Sequence, residues 1–159
     1  YKRQIQALKT QNFTEISQFV SSEKGLTLTP YTVVREGNLT FSREEVALFD
    51  MNNTNYIWGQ YEGSGFNIEH NPRQYFNGFV YDKNFEHSHI AYNEIQQFTG
   101  WPENMGTAYP NGIFVEYYYE GDEGEFKGFT WATLRLVFEK STEDGKWYLV
   151  GLIHSQWTI

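Results

Sequence analysis

The chain has 159 residues, a formal charge of −8 and no cysteine, so it has the length of one domain and cannot use disulfides, a thiol nucleophile or a thiolate-bound metal. An anionic surface repels polyanions, which excludes nucleic acid and anionic headgroups as favoured partners. Aromatic residues make up 19% of the chain, a composition that calls for a packed interior rather than disorder.

Near the N-terminus, Ile5, Leu8, Phe13, Ile16, Phe19 and Val20 recur mainly at spacings of three and four, which makes one helical face apolar. Asn12 followed by Glu15 reads as an N-cap with its capping-box partner, so a helix restarts at Phe13, and Gly25 closes it. Residues 1–11 then form a helical extension or a spacer, and residues 12–159 a single domain. Residues 26–34 carry β-branched side chains in alternation, and Gly37-Asn38 turns the chain into a second strand at 39–41. Ser42 and Glu45 make another capping box and open a short helix. Residues 56–61 and 66–68 read as two strands joined by the tight turn Gly63-Ser64-Gly65. Asn71-Pro72 starts a helix whose buried face is Tyr75, Phe76, Phe79 and Val80.

Beyond residue 90 the chain is strand-rich. Residues 90–98 and 113–119 alternate, and the longest alternating runs, 130–140 and 146–157, are joined by a turn containing Asp144-Gly145. Helices early and a strand meander late make an α+β order, not the regular alternation of a parallel sheet.

Several strings resemble a group of exported proteins of Gram-positive bacteria. They are Tyr56-Ile57-Trp58-Gly59 with Gly63-Ser64-Gly65, then Phe79-Val80-Tyr81-Asp82, then Phe114-Val115-Glu116-Tyr117, and the closing runs WATLRLVFEK and GKWYLVGLIHSQWTI. The resemblance covers residues 41–159 and is most specific at the C-terminal end. It implies an NTF2-like (cystatin-like) cone, in which N-terminal helices pack on a curved antiparallel β-sheet. It also implies a lipoprotein or otherwise anchored, extracellular location, and a homodimer through the open sheet face. No catalytic residue comes with it, and His87-Ser88-His89 is foreign to the group's pattern.

Three ionisable side chains stand mid-strand among apolar neighbours: Glu116, Arg135 and His154. Alternation places Arg135 opposite in direction to Leu134 and Leu136, and groups Leu149 with Ile153 against Val150, Leu152 and His154. One reading is a pocket in which Glu116 or His154 is acid or base and Arg135 holds an anion. The other is a structural ion pair between Glu116 and Arg135. Strand register decides between them. A ligand-stacking surface is expected from Trp58, Tyr61, Tyr118 and Trp131, with Trp101 and Trp157 as further members, unless these rings are core.

No metal is expected. His87-Ser88-His89 sets two imidazoles on one side of an extended segment near Asp82, Glu86 and Glu94, but no third ligand has a metal-site spacing. The acidic run from Glu120 to Glu125 lacks the closing Glu of a calcium loop and reads as a charged hairpin tip. No phosphate loop, dinucleotide fingerprint or nucleophile elbow occurs, so no cofactor is expected. The chain begins at Tyr1 and has no apolar run of about 18 residues, so membrane attachment is expected only through an anchor upstream. The expected function is a cell-surface binding or interaction domain whose aromatic-lined concave pocket takes a small molecule, glycan or peptide. The alternative is a small cofactor-independent hydrolase or isomerase using Glu116 and His154 as an acid–base pair.

Overall fold

Capping residues set the helix starts. A computed structural model describes residues 1–96, 102–124 and 128–158. The first helix, α1 (Lys2–Lys9), buries Ile5, Ala7 and Leu8 in the core, so of the two forms expected for residues 1–11 the packed helix is the one present. Asn12 Oδ1 accepts from the Glu15 amide at 3.1 Å and opens α2 (Phe13–Phe19), while the Glu15 carboxylate turns away to Arg3 at 3.0 Å instead of closing a box. That helix stops at Phe19, well before Gly25. Gly25 serves a different purpose: it has a φ of +73°, and a Cβ there would lie 2.5 Å from the Phe41 carbonyl oxygen. The box at Ser42 forms and opens α3 (Arg43–Ala47), and α4 (Pro72–Phe79) starts at Asn71-Pro72, where the structure adds a box with Gln74 as the reciprocal partner.

The strands are β1 (Leu26–Thr29), β2 (Leu39–Phe41), β3 (Tyr56–Gln60), β4 (Asn67–His70), β5 (His89–Tyr92), β6 (Ile113–Tyr119), β7 (Ala132–Lys140) and β8 (Trp147–Gln156), with a short helix α5 (Met105–Ala108) between β5 and β6. Six of them form one sheet in the order β2-β1-β8-β7-β6-β5, and β3 pairs with β4 separately. All pairs are antiparallel except β1 with β8, which run parallel. The expected all-antiparallel sheet is corrected at that one seam. Residues 30–34, expected to continue β1, leave the sheet at Pro30, which has no amide hydrogen to donate to a ladder.

Both faces of the sheet are covered. Helices α1–α4 and the β3–β4 hairpin pack on one face against Leu26, Leu28, Tyr117, Leu134, Leu136 and Leu152. On the second face Met105 packs with Val137, Val150 and Ile153, and Val34, Tyr109 and Phe114 close the edges. A bulge separates Val137↔Gly151 from Phe138↔Leu149. The extra residue, Val150, reverses the alternation of β8. Leu149 therefore joins the helix side and Val150 the second face, the opposite of strict alternation from His154.

The β7–β8 turn is held by Asp144, which accepts from the Lys146 amide at 3.0 Å and the Tyr148 hydroxyl at 2.8 Å. These two bonds hold its carboxyl down to about 2 from an ordinary 3.8. A depressed carboxylate stabilises the folded form fully above its unfolded pKa of 3.8, and that contribution disappears as pH falls through about 2. Titration of the Asp144 carboxyl carbon by NMR is expected to give a midpoint near 2, and a midpoint near 3.8 would mean that the turn bonds are absent in solution.

Candidate binding site

Register settles where the three ionisable strand residues go. Glu116 lies directly across from Arg135, and Arg135 directly across from Ile153, so all three project to the second face. His154 lies across from Leu134, a core residue of the helix side. Glu116 and His154 are thus on opposite faces of the sheet and share no cavity.

On the second face Arg135 Nε donates to Glu116 at 2.5 Å, and its Nη1 donates to Glu103. The other Glu116 oxygen accepts from the Gln96 amide at 2.6 Å. Arg135 and Glu116 are essentially without solvent contact, while Glu103 keeps about a quarter of its side-chain surface, 26%, in water. This is a structural ion triad tying the stretch from Glu103 onward to the sheet. Asn104 secures the same stretch, accepting from the Val34 amide at 2.9 Å and donating to its carbonyl at 2.8 Å. Tyr109 caps it over Gly151, where a Cβ would stand 2.6 Å from the phenol oxygen.

On the helix side His154 is fully buried. Its Nε2 lies 3.0 Å from Asp82 Oδ1 and its Nδ1 3.4 Å from the Pro30 carbonyl, and Phe79 meets it edge-on at 5.8 Å. The imidazole ties the end of β1 and the chain after α4 to β8. The Phe79 ring also packs against Tyr31 and Tyr61, at 6.0 and 5.9 Å.

Above Tyr31 and Tyr61 the molecule is open. A cleft of about 680 Å³ runs between the 30–38 loop and the β3–β4 hairpin, lined by Arg35, Asn38, Ile57, Gln60 and Glu62 among others. A second, of about 520 Å³, continues from it to Gln156, Trp157 and Thr158. The two share Tyr31, Tyr61, Glu62 and Gly63, so they form one groove with a tyrosine-lined middle. Gly37, Gly59, Gly63 and Gly65 leave backbone exposed along its walls. The Tyr31 hydroxyl accepts from the Glu62 amide at 3.3 Å, and Tyr61 reaches His70 Nε2 at 3.1 Å. Burial, and after it the Glu62 charge, push the Tyr31 phenol above its ordinary value.

Of the aromatic residues expected to bind a ligand, Tyr61 lines this groove, and so does Trp157. Trp58 stacks on Tyr75 at 4.0 Å inside the core and donates its indole N–H to the His70 carbonyl at 2.8 Å. Trp131 is buried, and Tyr118 sits on the second face across from His89. Trp101 lies outside the described residues, as does Glu125 at the end of the acidic run. Within that run Asp122 accepts from the Tyr119 hydroxyl at 2.6 Å and donates its amide to Thr130, as a hairpin tip does. His89 faces Glu120 at 3.0 Å, and among the described residues no three metal-ligating side chains cluster. Sequence reasoning passed over Tyr31, Arg35 and Glu62. The signal available for them was position alone: Tyr31 directly follows Pro30 and Glu62 directly precedes Gly63, just past strand ends, while Arg35 has no such mark.

No protein family matches the sequence, and no curated protein does. Among solved structures, the chain is similar to one described as a calcium/calmodulin dependent protein kinase II association domain, from Xanthomonas campestris. The two share 15% identity and a TM-score of 0.38, over 98% of this chain and 81% of the other. A likeness of that degree assigns no activity. No helix among the described residues is long and apolar enough to cross a membrane.

Proposed function

We propose that this chain is a non-catalytic binding domain of the NTF2-like (cystatin-like) kind, exported and held at the cell surface, which takes an extended ligand in the groove over Tyr31 and Tyr61. One observation carries this reading: the two clefts merge over a shared tyrosine pair into one open groove, away from both Glu116 and His154. Glu62 and Arg35 are the charged residues of the groove, and no histidine joins them in its lining. General acid–base catalysis needs two such groups within reach of one reacting atom. Glu116 and His154, the pair required by the hydrolase or isomerase alternative, are kept apart by the sheet itself. A homodimer through the second sheet face, which the resemblance implies, would have to lift the stretch that Glu103, Asn104 and Tyr109 tie down.

Amide chemical-shift mapping tests the reading, with a chitotriose, an acetylated tripeptide and a short-chain fatty acid as probes. At least one probe is expected to shift Tyr31, Tyr61, Glu62, Gly63 and Trp157 together. Shifts confined to the second face around Tyr118, or conversion of a probe to product, would overturn it.

A further inference from the structure

The groove is charged in an uneven way. This is an acidic protein, yet Arg35 at one end makes no ion pair or side-chain hydrogen bond among the described residues, and neither does Glu62 find a cationic partner in the middle. Glu62 Oε2 accepts from the Thr158 hydroxyl at 3.1 Å, which leaves Oε1 without a donor among those residues. Tyr31, Tyr61 and Trp157 line the same part of the groove as Glu62. Some carboxylates of the protein are paired, Glu15 with Arg3 and Glu116 and Glu103 with Arg135 among them, and Glu62 is the one carboxylate in the groove lining.

A carboxylate among aromatic rings is the arrangement that attracts an organic cation, by direct charge and by the negative faces of the rings. The overall charge of −8 also draws cations toward the surface. A neutral glycan would leave both Arg35 and Glu62 unanswered. A peptide bearing an ammonium and a carboxylate answers both.

Resting on the groove being a binding site, we infer that its ligand is an extended peptide whose lysine-type ammonium is held by Glu62 between Tyr31, Tyr61 and Trp157, with a peptide carboxylate directed to Arg35. Specificity then lies in the two charges and their spacing, and the glycine-lined walls take the backbone between them. The exposed edge-to-face pair of Phe129 and Trp157, with centroids 5.0 Å apart, extends an apolar surface beyond the ammonium end.

The test uses the whole chain and the acetylated tripeptide Ala-Lys-Ala with a free C-terminus. Two other probes accompany it: the same peptide with norleucine for lysine, and chitotriose. Amide shifts and calorimetry are followed at low and high salt. The lysine peptide is expected to bind at least about tenfold more tightly than the norleucine peptide, with the advantage shrinking at high salt. Glu62→Gln is expected to erase that advantage, bringing the two peptides to equal affinity, and Arg35→Gln to weaken both peptides alike. Equal binding of the two peptides, or binding of chitotriose alone, overturns the ammonium inference and leaves the groove as a binding site. If no probe shifts the groove residues, both readings fall together.

Discussion

Arg135→Met is expected to lower the unfolding free energy by about 3–5 kcal/mol, because it strands a charge that the fold has taken out of water. Glu116 is fully buried, and Arg135 is the cation that meets it, at 2.5 Å. The Gln96 amide is left as its charge-stabilising contact, a single neutral donor for a buried carboxylate. Glu103 suffers less, since its partly exposed side chain can turn to solvent. The paired variant Arg135→Met with Glu116→Leu removes the stranded charge, and such replacements of buried ion pairs are often neutral or stabilising. Urea denaturation of the two variants therefore makes a sharp comparison: the single change loses stability, and the double recovers most of it. If the single variant is as stable as the parent, or the double is no better than the single, the triad is not the anchor described.

The same triad shows what was legible in the sequence and what was not. Helix starts were legible because their signals are local: the Ser42–Glu45 box and the Asn71-Pro72 start each lie within one turn, and both helices open there. The long β7–β8 pair was legible for the same reason, its turn being written in Asp144-Gly145. Register is not local. That Glu116 faces Arg135 while His154 faces Leu134 depends on how distant strands slide against one another, and a single extra residue reverses the face of everything beyond it. Val150 is such a residue, and nothing in a run of alternating apolar side chains marks it in advance. Strict alternation consequently misplaced Leu149 and Val150.

The groove was the least legible feature. Its Tyr31, Arg35 and Glu62 come from connections that follow β1 and β3, and Gln156 and Trp157 from the end of β8, five positions that meet only after folding. Ring type does not separate a core aromatic from a binding one: Trp58 and Tyr61 are three residues apart in one motif, yet one is in the interior and the other at the surface. Burial alone distinguishes them, and burial is a property of the tertiary packing.

That difference yields the second large effect. Trp58→Ala is expected to cost about 3–5 kcal/mol, the range for a large aromatic removed from a packed core. Trp58 is 1% exposed, lies between Phe41 and Tyr75, and its indole is the donor to the His70 carbonyl, which the variant leaves unpaired. Tyr61→Ala removes a half-buried ring from the rim and is expected to cost only about 1–2 kcal/mol of stability. Binding is expected to reverse the order. Tyr61→Ala should weaken the lysine peptide about tenfold or more, as loss of an anchoring aromatic does. The folded fraction of Trp58→Ala should keep its affinity when measured below its unfolding transition. Melting curves and calorimetric titrations on the two proteins give four values, and the reading requires the effects to cross. Parallel losses of stability and affinity in Trp58→Ala would place that ring in the site, and unchanged affinity in Tyr61→Ala would remove the groove from consideration. The crossing follows from geometry: Tyr75 and Phe79 stand between Trp58 and Tyr61, stacked at 5.4 Å, so the same aromatic column has one end in the core and the other at the ligand.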